Sequence, residues 1–147
     1  MYKNILVPTD GSPLARAAAE KAIKLAKIHG AKITAFFAAP APTPILYKGL
    51  LPKGLMTTTA HKALTEKAAA QNLGYIENLA KKGGVPFKSV YFTDDYPASA
   101  ILATAKKEKC DLIYIASHGH TGFRKTLLGS HTAKVLADSP ISVLVHR

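Results

Sequence analysis

Short apolar runs alternate with stretches of helical periodicity along the whole chain, and no other feature narrows the choice of fold as far. The runs are Asn4–Val7, Lys32–Ala38, Phe87–Thr93, Leu112–Ala116 and Ile141–His146. Between them, Pro13–His29, Thr59–Lys82, Ala98–Lys109 and Ser130–Ala137 carry the helical pattern. In the first helical stretch, Ala15, Ala19, Ala22, Ile23 and Ala26 recur at helical spacing. Ser12 can cap its free N–H groups, Pro13 suits its first position, and Gly30 suits its end. Strands alternating with helices predict βαβ units in a mainly parallel α/β sheet with helices on both faces. Leu112–Ala116 is apolar throughout, as a strand covered on both sides must be. The 147 residues predict one domain, 1–147, large enough to bury roughly 70% of the surface its unfolded chain exposes.

Composition excludes several classes. Apolar residues at 48% and charged residues at 20% lie in the globular range rather than the disordered one. The lone cysteine, Cys110, cannot make an internal disulfide and reads as a structural thiol, so a cytoplasmic location is expected. No apolar stretch approaches the roughly 20 residues of a membrane span, and no membrane partner is expected. The net charge of +11 attracts anions. Its lysines are dispersed along the sequence, however, and no aromatic residues interleave with them to stack on bases, which disfavours nucleic acid.

In open parallel sheets, ligands bind beyond the carboxyl ends of strands where the winding reverses. The first strand is usually central, so Pro8-Thr9-Asp10-Gly11-Ser12 is the first segment to consider. The second follows the fourth strand, from Ala116-Ser117-His118-Gly119-His120 to Gly129-Ser130-His131-Thr132. Gly129 and Ser130 open a helix whose free N–H groups and dipole favour phosphate, and Ser130 and Thr132 offer hydroxyl donors. Two standard phosphate motifs fail here. A G-x-x-x-x-G-K-[ST] loop needs glycine where Arg124 stands, and G-x-G-x-x-G matches only with Ser117 for its first glycine. Arg124 and Lys125 could contact phosphate or be solvated. His118 and His120 lack nearby acidic or thiol partners, so no metal site is expected.

The spacing fits a third pattern better. ATP-binding universal stress proteins carry G-x-x-G, nine residues, then G-[ST] after the fourth strand. Gly119, the nine residues that follow it, Gly129 and Ser130 match in register, with Ala116 at the first glycine position. Asn4–Ser12, Cys110–Gly119, Leu127–Ser130 and Ser139–Val145 also resemble that family, in order and over nearly the whole chain. The resemblance implies an adenine nucleotide alpha hydrolase-like fold, a five-stranded parallel sheet of order 3-2-1-4-5. It implies that Asp10 lies beside the nucleoside, that the backbone at Ala38 meets the adenine edge, and that Gly119, Gly129 and Ser130 hold phosphates. The expected binding set is Pro8, Thr9, Asp10, Ala38, Ala116, His118, Gly119, Gly129, Ser130, His131 and Thr132. The expected ligand is ATP or another adenine nucleotide, with or without Mg2+. The methyl of Ala116 would matter most if that position needs positive φ.

Function then reads as a nucleotide-binding stress or regulatory protein, with at most slow ATP hydrolysis, because Asp10 alone is thin support for acid–base catalysis. Three alternatives stand beside it. One is a family member that binds no ATP and acts through protein partners. Another is a phospho-accepting receiver domain using Asp94-Asp95 after the third strand. The last, a nucleic-acid module, rests on charge only. The proline- and glycine-rich segment from Pro40 to Thr58 is expected to be the most mobile part and a candidate cover for the crevice. The last strand, Ile141–His146, is expected to pair with its twin in a homodimer and bury Val143 and Val145.

Overall fold

Five strands, β1 (Asn4–Pro8), β2 (Lys32–Ala39), β3 (Phe87–Thr93), β4 (Leu112–Ala116) and β5 (Ser142–His146), form one sheet of order β3-β2-β1-β4-β5. Every neighbouring pair is parallel, as the alternation predicts. Helices α1 (Pro13–His29), α2 (Thr58–Gly83), α3 (Pro97–Lys107) and α4 (Ser130–Asp138) make the connections. The structure, a computed structural model, describes residues 1–39, 58–93, 96–120 and 127–147. Nearly all of the Pro40–Thr58 segment, the Asp94–Asp95 pair and Arg124–Lys125 lie outside the described residues. Among the described residues no helix is long and apolar enough to cross a membrane.

The two sheet faces bury separate clusters, because successive strand residues point to opposite sides. Ile5, Val7, Ile33, Ala35, Leu112, Tyr114 and Ala116 pack under α1 and α2. Leu6, Phe36, Ile113 and Ile115 pack with Ala98, Ile101 and Ala105 of α3 and Val135 of α4. The buried side of α1 is alanine except for Ile23, which lets that helix lie close on the sheet.

Local signals act largely as expected. The Ser12 hydroxyl accepts the Ala15 N–H at 3.2 Å, and Gly30 closes α1 in the left-handed conformation, at φ 64°. The third helix stops at Lys107, two residues before the expected Lys109. Lys109 itself takes φ 53°, the Cys110 N–H turns back to the Ala105 carbonyl and the Lys109 N–H to that of Lys106. That is the capping geometry usually made with glycine, and apolar periodicity carries no sign of it. Cys110 lies buried behind this turn, and burial pushes its thiol up to about 11, so it stays neutral and structural.

Candidate functional site

The ladder between β1 and β4 runs only from Ile5↔Leu112 to Leu6↔Ile113. Beyond it no further β1–β4 pairs form, and the helices that follow, α1 after β1 and α4 after β4, lie on opposite faces of the sheet. This is where the winding rule expects a crevice. Along β2, pairing with β1 ends at Pro8↔Phe36, closed by the Thr9 N–H on the Phe36 carbonyl at 2.8 Å. Ala38 has the same parity as Phe36, so its N–H and C=O face the space that β1 has vacated. On the β1 side Pro8 is buried and Thr9 half-buried.

Asp10 joins the two loops. One carboxylate oxygen accepts the Ser12 N–H at 2.9 Å, and the other accepts the His120 N–H at 3.1 Å. The His120 ring answers with Nε2 at 2.9 Å from the Asp10 carbonyl. A carbonyl can only accept, so Nε2 carries the proton. A Cβ at Gly119 would fall on the Asp10 carboxylate, which explains why glycine stands there. Desolvation opposes the charge on Asp10. The Ser12 hydroxyl and N–H, the His120 N–H and the charge of His120 outweigh it and hold the carboxyl below its ordinary value.

A lowered folded-state pKa means that the unfolded chain binds more protons in that window, so stability rises with pH there. The Asp10 contribution is fully present above the unfolded value of about 4 and is lost as pH falls below it. Urea unfolding of the unmodified chain and of Asp10→Ala should therefore differ at neutral pH and converge in acid. A constant difference across that range would show that the carboxylate does not hold the loops.

The second loop meets α4. Gly129 has φ −61°, so left-handed backbone is not the reason for glycine. Space is the reason: a Cβ there would lie 3.1 Å from the Ser117 carbonyl oxygen and 3.2 Å from His118 Cα. The Gly129 N–H is already spent on that carbonyl, at 2.7 Å, and cannot also serve a phosphate. Thr132 corrects the reading in the same way. Its hydroxyl is buried and donates to the Ala116 carbonyl at 2.8 Å, tying α4 to the end of β4 instead of facing outward. What α4 offers is its N-terminus, which has no side-chain cap, and exposed Ser130 and His131. The first N–H groups of a helix lack intrahelical partners. His118 is half-buried beside this turn, its Nδ1 3.1 Å from the Ser117 hydroxyl.

Ala116 is an ordinary strand residue, and among the described residues only Lys109 combines a side chain with positive φ. Its methyl is buried with the cluster under α1 and α2, so alanine brings no backbone strain here. Two contributors escaped the sequence reading. Sequence marks His120 only as a possible metal ligand, and its clamp on Asp10 needs the two loops side by side. Asn72 of α2 packs so closely on Gly11 that a Cβ there would collide with it, and no local pattern signals this.

The sheet order and its parallel pairing define an open parallel α/β protein whose candidate site lies at the carboxyl end of the central strands. The universal stress protein family matches residues 1–147, and the chain belongs to that family. It is 30% identical over 145 residues to a universal stress protein of Methanocaldococcus jannaschii, covering 99% of this chain and 82% of that one. Among solved structures, the universal stress protein UspA from Lactobacillus plantarum superposes with a TM-score of 0.74 at 29% identity, covering 99% of this chain and 98% of that one. A universal stress protein solved in complex with cAMP shares the fold, with a TM-score of 0.72 at 21% identity over 99% of this chain and 97% of that one. Family membership sets aside the receiver-domain reading.

Proposed function

We propose that this chain is an adenine-nucleotide-binding regulatory protein of the stress response, working in the cytoplasm as one domain, with ATP as the first candidate ligand. What supports it is the end of the β1–β4 ladder past Leu6 and Ile113, with Asp10, the open edge of Ala38 and the uncapped start of α4 all at the carboxyl end of the sheet. Adenine would lie along Ala38, the ribose near Asp10, and phosphates over Ser130 and His131. A helix N-terminus favours an anion by about 0.3–1 kcal/mol. Each hydrogen bond to a charged acceptor adds about 1.5–3 kcal/mol, enough together for micromolar affinity. One carboxylate already engaged in a clamp is poor equipment for catalysis, so turnover is slow at most and Mg2+ would come with the nucleotide.

Calorimetry with ATP, ADP and AMP tests this reading, together with mass spectrometry of any nucleotide released on denaturation. Absence of both heat and released nucleotide would refute it. Ala116→Gly separates the family pattern from the packing seen here. It should leave affinity within a factor of about two, because α4 rather than position 116 meets the anion, and should reduce stability by about 0.5–1 kcal/mol, since glycine weakens a strand. A large gain in affinity would mean that the methyl intrudes on the ligand.

Pairing of β5 with a second copy is the reading for assembly. Val143 and Val145 are already partly buried against the α3–α4 side, and pairing would cover what remains of them. Leu144 of β5, 38% exposed, and Leu136 of α4 are exposed apolar groups on these two elements. Light scattering should give a dimeric mass at micromolar concentration, and Leu144→Lys should lower it. A monomeric mass for the unmodified chain would end the dimer reading.

A further inference from the structure

The lysines are dispersed in sequence but gathered in space. All five strands are parallel and each helix runs back against them. Helix C-termini and strand N-termini therefore share the end opposite the candidate site. The last turns of α1, α2 and α3 bring Lys27, Lys81, Lys82, Lys106 and Lys107 there. Strand starts and turns add Lys3, Lys32, Lys88 and Lys109, and Lys24 lies one turn back on α1. These are half of the chain's 20 Lys and Arg, and each is exposed.

Acidic groups at this end are few and engaged. Glu108 pairs with Lys88 at 2.6 Å, Glu77 pairs with Lys81 at 2.9 Å, and Asp111 accepts the N–H groups of Lys3 and Asn4. Complementing helix dipoles accounts for the lysines of the last turns, but not for Lys3, Lys24 and Lys32.

Two apolar features lie within the basic field. Between α1 and α2 a groove of about 360 Å³ has Ile23 and Leu79 in its lining beside Lys24, Lys27 and Lys82, while Glu20, at its far end, accepts the Tyr75 hydroxyl. Next to it Ile28, between Lys27 and His29, is 80% exposed, and Met1 is 93% exposed. The Tyr2 and His29 rings meet edge to face at 5.4 Å, which holds these two apolar side chains in the same region.

We propose that this end docks on an anionic phospholipid surface, with headgroup phosphates against Lys24, Lys27 and Lys82 and with Ile28 and Met1 reaching the acyl boundary. Basic residues surrounding exposed apolar ones are the chemistry of interfacial binding. A nucleic-acid backbone would match the charge but gives the apolar side chains nothing to bury against. The expectation of no membrane partner rested on the lack of a spanning stretch, which does not bear on surface docking.

Sedimentation of the full chain with phosphatidylcholine vesicles, with and without phosphatidylglycerol, tests the proposal. The chain should sediment only with the anionic vesicles. Lys24→Gln, Lys27→Gln and Lys82→Gln combined should lower partitioning about 100-fold, at roughly fivefold per lysine near such a surface. Ile28→Ser should lower it about fivefold while leaving any binding to duplex DNA unchanged. These positions are exposed, and thermal melts of the variants should match the unmodified chain. Equal sedimentation with neutral vesicles, or full binding by the triple variant, overturns the proposal. An Ile28→Ser variant that binds vesicles like the unmodified chain also overturns it, and makes the face a general polyanion surface.

Discussion

Gly129→Val should both destabilise the protein and abolish nucleotide binding, and the first effect explains the second. The sequence pattern alone suggests that a branched side chain would occupy a phosphate position. In the structure the new Cβ meets backbone first, at Ser117 and His118, and that backbone is itself held by the Gly129 N–H. Backbone cannot swing aside as a side-chain tip can, so the loop after β4 must shift. Overpacking of this kind typically costs about 1–3 kcal/mol. For a chain of this size each kcal/mol lowers the melting temperature by roughly 2–4 °C. Once α4 is displaced from β4, two of the charge-assisted contacts proposed for ATP would be lost, a drop in affinity of about 100-fold or more. Ser130→Ala is the companion variant. Ser130 is exposed, so stability should hold while affinity falls about tenfold. A Gly129→Val protein that melts like the unmodified chain would refute this account of the glycine.

Thr132→Val should cost about 1–3 kcal/mol although it barely alters shape. The Ser117 N–H bonds the His146 carbonyl of β5, so by strand parity the Ala116 carbonyl faces the β1 side, where the ladder has ended. The Thr132 hydroxyl is its partner there and is itself 4% exposed. Valine keeps the volume and deletes the donor, leaving a carbonyl at the end of β4 without a protein partner. Thr132→Ser keeps the donor and should recover most of the stability. ATP affinity should follow the same order, with Thr132→Val weakest, because the tether sets where α4 points its N-terminus. Equal unfolding midpoints for the Val and Ser variants would show that the hydroxyl carries no such role.

The contrast between these variants and the sequence reading marks where local information ends. Helix starts and stops that depend on a few adjacent residues were legible: Ser12-Pro13 opens α1, Gly30 closes it, and Leu112–Ala116 is buried on both faces. The order β3-β2-β1-β4-β5 came from the family resemblance, and right-handed crossovers agree with it. The two loops of the candidate site were also legible, since the winding rule needs only the sequence of strands and helices. Which atoms of those loops remain free for a ligand was not. The Gly129 N–H and the Thr132 hydroxyl looked available for phosphate because a motif names residues and not their existing partners.

By itself, the sequence determined the parallel α/β class, the family, the element order and which loops form the candidate site. Each of these depends on periodicity or on residues close together along the chain. Tertiary structure alone decided the clamp between Asp10 and His120, the packing of Asn72 on Gly11, the partial burial of Val143 and Val145 on the α3–α4 side, and the gathering of dispersed lysines at one end. The physical reason is common to all four. Each joins groups far apart in the chain, and only closing the sheet and laying the helices back across it brings them within reach of one another.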